Sequence, residues 1–238
     1  MKDDISHSRA GALLVAGGMS SRMAGQDKIF LPLLGRPLLS YTLEALENTT
    51  EIESIVLVLS RENLEQGEYM IAQGNWRKIS AICSGGTRRQ DSVAAGLKHM
   101  ADVPYIVVQD GARPCVTPAL ITHGLDVACE TGAAIAAIPA KDTLKAVDDS
   151  GHIMHTLDRS GIWLAQTPQI FSSDILREAH RTIHEDVNDD ATMVERMGVK
   201  VRVYMGSHEN LKITTAEDIA LAEAVLRKQG YSDKSEIG

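Results

Sequence analysis

Paired cysteines are missing from this chain. Cys83, Cys115 and Cys129 are odd in number and widely spaced, with no C-x-x-C pair to hold zinc or run thiol exchange. The pattern argues against a disulfide-stapled scaffold and fits a reducing cytosol. Long apolar runs are missing too: nothing approaches the roughly 18 consecutive apolar residues of a membrane span. The N-terminal MKDDISHSRA also lacks the apolar core of a signal peptide. The expectation is a cytoplasmic protein with no membrane partner. Basic charge is in deficit, 24 Lys and Arg against 32 Asp and Glu, for a formal net charge of -8. A nucleic-acid surface needs clustered cations, so no nucleic-acid partner is expected and any phosphate site must be local. No internal repeat or low-complexity tract is visible, and neither the three cysteines nor the eight histidines have a metal-site spacing.

What remains is ordinary globular composition, 44% apolar and 24% charged over 238 residues, enough for one large domain. Strand and helix patterns alternate along it. AGALLVA ending at Ala16, SIVLVLS ending at Ser60, PYIVVQD ending at Asp110 and GAAIAAIPA ending at Ala140 read as buried strands. Leu39, Leu43 and Leu46 mark one helix face after Pro37, Asp91-Ser92 opens another helix, and Thr117-Pro118 starts a third that stops at Gly132. Ile175, Ala179 and Ile183 mark a fourth from Ser173. A strand, KVRVYMG, follows Gly198, and Thr214 with Glu217 gives a capping-box start to a last helix running toward Gly230. This order predicts an α/β, Rossmann-like, doubly wound, mostly parallel sheet. Loops after Ala16, Cys83 and Asp110 should then meet in one crevice at the strands' carboxyl ends. Between Lys141 and about Gln166 the order breaks into two strand-like pieces around Asp148-Asp149-Ser150-Gly151, a protruding β-hairpin arm. The expected organisation is a tail over 1–9, one domain over 10–230 with its arm at about 141–166, and a tail over 231–238.

The stretch from Val15 to Lys28, VAGGMSSRMAGQDK, carries the chemistry. A strand leaving through Gly17 and Gly18 lets backbone N–H groups approach an anion closely, and Arg22 and Lys28 add full charges. It reads as a triphosphate cradle, although a glycine-rich turn with two solvated cations would show the same residues. It is neither G-x-x-x-x-G-K-[ST] nor G-x-G-x-x-G.

VAGGMSSRM, DKIFLPLLGRPLL, SGGTRRQDSVAAGL, QDGARP, KDTLK, HTLDRSGIWLAQTPQIF and ENLKITTAEDIALAE occur in that order. Together they resemble the 2-C-methyl-D-erythritol 4-phosphate cytidylyltransferase family from Ala10 to about Leu226. The first block alone also resembles guanylyltransferases of molybdenum-cofactor synthesis and sugar-phosphate nucleotidylyltransferases. DRSGIWLAQTPQ and ENLKITTAED are far more specific.

The resemblance implies transfer of CMP from CTP to methylerythritol 4-phosphate with release of pyrophosphate, in non-mevalonate isoprenoid synthesis, with Mg2+ or another divalent metal. It implies Arg22, Lys28 and Lys212 as catalytic cations and Ala16, Gly17, Gly18, Gly85, Gly86, Ser92 and Asp110 at the nucleotide. Asp110, Arg113, Thr143, Arg159, Thr167 and Glu209 fall to the acceptor, and Asp110 to the metal. The arm would cross to a second subunit, making a homodimer. Local pattern alone leaves plainer roles open: an N-cap for Ser92, a turn cap for Asp110, a surface ion pair for Asp158-Arg159. Val15, Ser20, Asp27, Gln109, Gly111, Asn188 and Glu209 depart from the family's usual residues. Asp189 and Asp190 read as helix-capping acids. Two alternatives stay open: a cytidylyltransferase for another polyol phosphate such as ribitol 5-phosphate, and a non-catalytic nucleotide-binding regulator of the same fold.

Overall fold

In the computed structural model the described residues are 9–17, 22–23 and 26–233, with backbone alone for 22, 23 and 26. Seven strands form the central sheet: β1 (Ala10–Ala16), β2 (Ile52–Leu59), β3 (Ile79–Ser84), β4 (Tyr105–Asp110), β5 (Ala133–Pro139), then β8 (Trp163–Ser172) and β9 (Arg202–Met205). Between β5 and β8 stands a separate antiparallel hairpin, β6 (Lys145–Val147) and β7 (Ile153–Thr156). The sheet order is β9-β5-β8-β4-β1-β2-β3. β8 runs antiparallel to both its neighbours; the other pairings are parallel.

Among the described residues there are seven α-helices: α1 (Leu38–Glu47), α2 (Leu64–Gln73), α3 (Arg89–Leu97), α4 (Pro118–Thr131), α5 (Ser173–Thr182), α6 (Asp190–Arg196) and α7 (Glu217–Lys228). The alternation of side chains along β1 divides the core. Ala12, Leu14 and Ala16 pack with Leu39 and Leu43 of α1 and Ile121 and Leu125 of α4. Leu13 and Val15 face the other way, onto Val93 and Leu97 of α3, Leu176 of α5 and Val194 of α6. Each fully buried leucine stabilises the fold by about 1.5–3 kcal/mol. A third cluster seats α7 through Ala222 and Leu226 against Leu38 and Tyr41 of α1.

Helix boundaries follow local chemistry. Thr117 Oγ1 accepts from Leu120 N at 3.3 Å ahead of Pro118, and Gly132, at φ 79°, ends α4 as the spacing predicts. Other starts shift. Pro37 is the N-cap of α1, not its first turn. The third helix opens at Arg89, two residues before Asp91, because Asp91 is the acid of a capping box that accepts from Arg88 N at 3.2 Å. At α7 the capping acid is Asp218, whose Oδ2 accepts from Thr214 N at 2.7 Å and Thr215 N at 2.8 Å. The expected strand to Ser60 ends at Leu59.

The arm is present as a hairpin, but narrower than expected. Its strands pair over residues 145–156, extended by Leu157 N donating to Leu144 O at 3.0 Å, and Trp163 through Ala165 already pair with β5. Pattern reading misses β8 as a central strand because it lies between two parallel strands and leaves the sheet's repeating βαβ logic.

Candidate active site

The order β4-β1-β2 puts the change of winding direction between β1 and β4, where open α/β sheets bind ligands. Val15 pairs with Asp110, and Gly111 N donates to Val15 O at 2.8 Å, so the two strands end level. The third loop is pinned beside them by Gly85 N donating to Leu59 O at 2.7 Å. The carboxyl ends of β1, β2, β3 and β4 are thus tied side by side, as predicted; of the loop after β1, Gly17 is described and residues 18–21 are not. Gly17 makes a close approach here: a Cβ would sit 3.1 Å from the Leu59 carbonyl. Gly18 and the side chain of Arg22 lie outside the described residues.

Asp110 is the hub. It is only 7% exposed. Its Oδ1 accepts from Arg89 Nε at 3.1 Å, its Oδ2 lies 2.8 Å from Lys212 Nζ, and Arg113 Nε stands 3.9 Å from Oδ2. Burial pushes the Asp110 carboxyl up, but Arg89, Lys212 and Arg113 outweigh burial and hold it well below the usual range. Lys28, half-buried after β1, also lies below its ordinary range, here because burial and then Lys212 disfavour its charged form. Asp27, the departure beside it, caps the turn: its carboxylate accepts from Ile29 N at 3.2 Å and from Asn63 Nδ2.

Lys212 owes its place to a pinned loop. Arg113 Nη1 donates to Asn210 O at 2.7 Å, Asn210 Nδ2 donates to Thr167 O at 2.8 Å, and Ile213 N donates to Ala112 O at 2.8 Å. Thr167, 3% exposed, accepts from Asp110 N at 3.1 Å through Oγ1. Arg89, Asp110, Arg113, Thr167 and Lys212 line one cavity of roughly 190 Å3 together with Gln169. On two of the lining residues, Arg89 Nη2 and Arg113 Nε are buried without a hydrogen-bond partner among the described residues. Unpartnered guanidinium donors of this kind suit an anionic ligand that supplies the missing acceptors.

Other expected residues sit differently. Ser92 is fully buried within α3, and its hydroxyl accepts from Gly86 N at 3.2 Å and donates to Arg88 O at 3.2 Å. It shapes the Gly85-Gly86 turn; a Cβ on Gly85 would meet Ser92 Oγ at 2.5 Å. Glu209 pairs with Lys228 on α7 and does not line the cavity. Thr143 and Arg159 are exposed on the arm side, with Asp158 accepting from Ser160 N at 3.0 Å in place of an Asp158-Arg159 pair. Asp189 caps α6 as expected, accepting from Thr192 N at 2.9 Å. Asp190 is no simple cap. It is completely buried, bound to Arg89 Nη1 at 2.6 Å and to His180 Nε2 at 3.0 Å. Sequence reading missed Arg89 and took Asp190 for a cap alone; the signal for Arg89 was the second arginine of TRRQDS shortly after the glycine pair.

Both oxygens of Asp110 face protein cations, and no group of three or more His, Cys, Asp or Glu side chains able to hold a metal occurs among the described residues. Magnesium is ordinarily held by one or two carboxylates together with substrate phosphates, so Asp110 could serve it only alongside a bound nucleotide.

Glycine turns and clustered cations at the switch point of a Rossmann-like sheet define a nucleotidyltransferase. Within that class the chain belongs to the 2-C-methyl-D-erythritol 4-phosphate cytidylyltransferase family, whose model matches residues 11–228. Proteins of that name from Dehalococcoides mccartyi strain 195 and Syntrophus aciditrophicus are 43% and 44% identical to it. Each alignment covers 92% of this chain, with 97% and 96% of the relative. The crystal structure of the Thermus thermophilus protein of that name superposes with a TM-score of 0.75 at 31% identity over 92% of this chain and 99% of that one. A 4-diphosphocytidyl-2C-methyl-D-erythritol synthase structure from Anaerococcus prevotii gives 0.80 at 27% identity, covering 94% and 98%.

Proposed function

We propose that this protein transfers CMP from CTP to 2-C-methyl-D-erythritol 4-phosphate and releases pyrophosphate, a step of non-mevalonate isoprenoid precursor synthesis. The family match names the reaction, and the observation that carries it to residues is the gathering of Lys212, Arg89 and Arg113 around Asp110, beside the glycine exit of β1.

The acceptor's phosphate is itself the nucleophile, so no side chain has to be activated. What the protein must do is hold two anions in line at the α-phosphorus and stabilise charge growing on the leaving pyrophosphate. Lys28 and Lys212, with Arg22, supply that charge, and Ala16, Gly17 and Gly18 offer backbone N–H groups to the triphosphate. Gly85 and Gly86, shaped by Ser92, present backbone to the cytosine and ribose. Arg113 and Thr167 hold the acceptor from below. Asp110 orients the cations, and magnesium is proposed as a companion of the CTP phosphates, which would supply most of its oxygen donors with Asp110 as the one protein carboxylate at hand.

The arm supports a homodimer. Ile153 and Met154 on β7 are 62% and 66% exposed, and Val147, Leu164 and Met205 are also exposed, an apolar surface that a second copy would cover. Thr143 and Arg159 would then reach the partner's acceptor, and Glu209 would take part only by leaving Lys228. No helix among the described residues is long and apolar enough to cross a membrane. A cytoplasmic setting is proposed from the widely spaced cysteines, which form no disulfide among the described residues.

The test is pyrophosphate release from each nucleoside triphosphate with each acceptor. The reading expects release with CTP and methylerythritol phosphate. Release with ribitol 5-phosphate alone would assign another acceptor, and CTP binding without turnover would mark a non-catalytic binder.

A further inference from the structure

Arg89 is given no contact with substrate in the mechanism above, yet it joins the two most buried carboxylates near the site. Its Nε reaches Asp110 Oδ1 at 3.1 Å and its Nη1 reaches Asp190 Oδ2 at 2.6 Å, while His180 Nε2 holds the other oxygen of Asp190 at 3.0 Å. The contacts come from four elements: the first residue of α3, the end of β4, the first residue of α6 and α5. Only a planar, two-edged guanidinium spans two carboxylates in this way; an ammonium cannot.

The bridge has a geometric consequence. With Oδ1 of Asp110 held by Arg89, Oδ2 is left turned toward Lys212, 2.8 Å away. α3 itself starts directly after the Gly85-Gly86 turn, so the same guanidinium links the nucleotide loop to the cations facing the cavity. We propose that Arg89 is a positioning residue: by bridging Asp190 and Asp110 it fixes the carboxylate that aims Lys212 at the reacting phosphates. The inference rests on the transfer reaction proposed above. The plainer possibility is that Arg89 only neutralises the buried Asp190.

The two roles separate in a double variant. Arg89→Gln alone leaves Asp190 without its guanidinium and lowers the melting temperature, whichever role is right. Arg89→Gln combined with Asp190→Asn removes the uncompensated charge and restores melting. If Arg89 positions Asp110, kcat of the refolded double variant stays at least tenfold below wild type while KM for CTP stays within about twofold. If it only neutralises Asp190, kcat recovers with the melting temperature, and the proposal is overturned. Should the double variant fail to fold, Arg89→Lys, which keeps the charge but cannot span both carboxylates, is read by the same kcat and KM split.

A crystal structure of the folded variant gives a readout that does not depend on turnover. Opening of the Asp110 Oδ2 to Lys212 Nζ contact beyond about 4 Å is expected, and persistence at 2.8 Å contradicts the bridge's role. Wild-type protein that releases no pyrophosphate would count against the reaction, and the crystallographic distance would still decide the fate of Arg89.

Discussion

Lys212 Nζ lies 2.8 Å from Oδ2 of Asp110, joining the loop before α7 to the carboxyl end of β4. The contact draws a 43% exposed lysine side chain toward the cavity instead of bulk solvent.

Lys212→Met should therefore lower kcat about 100-fold or more while leaving the fold intact. A positioned cation at developing charge contributes on that scale, whereas a half-exposed lysine adds little to core stability. Steady-state kinetics beside a thermal melt check it; loss of the melt in parallel with activity would reassign Lys212 to stability.

Lys28 gives a pH prediction. Its ammonium is needed charged, and burial together with Lys212 lowers its pKa below the ordinary lysine range. As pH rises the free protein loses that proton earlier than an ordinary lysine would. The alkaline limb of kcat/KM should accordingly begin below the normal lysine range, and Lys28→Arg should move it upward. A limb unmoved by Lys28→Arg would assign it to another group.

Ser92→Ala should raise KM for CTP about three- to tenfold with a smaller effect on kcat. The lost hydrogen bond to Gly86 N is worth about 0.5–1.5 kcal/mol, and it shapes the loop without touching the reacting atoms. Initial rates over a CTP range decide this.

Acid should expose the buried carboxylates. Burial raises Asp190, but Arg89 and His180 outweigh it, so its folded pKa is depressed below the unfolded value of about 3.9. A depressed carboxylate contributes stability that is present above the unfolded value and is lost as pH falls through the folded one. The stability difference between wild type and Asp190→Asn should then be largest near neutrality and shrink as pH drops below about 4. Denaturant melts across that range measure it; a constant gap would contradict the assignment.

The legible part of the molecule was its periodicity. β1, β4 and β5 are near-continuous apolar runs, α4 carries both its cap signals, and the crevice at Ala16 and Asp110 follows from strand order. What stayed hidden depends on contacts between distant segments. Arg89 and Asp190 look like ordinary helix-start residues until folding brings α3 and α6 against β4, and Ser92 looks like a ligand donor until its hydroxyl is seen bonded to Gly86. β8 was hidden for a related reason: its direction is set by neighbours far away in sequence. Local pattern also placed the capping acid of α7 one residue early, since Glu217 and Asp218 are alternatives that only geometry resolves.

The most direct test of the central claim is a crystal structure with CTP bound. The account predicts the triphosphate between the Gly17 exit, Lys28 and Lys212, with cytosine at Gly85-Gly86 and the α-phosphate facing the cavity lined by Arg113 and Thr167. A triphosphate bound away from Lys28 and Lys212 would contradict it.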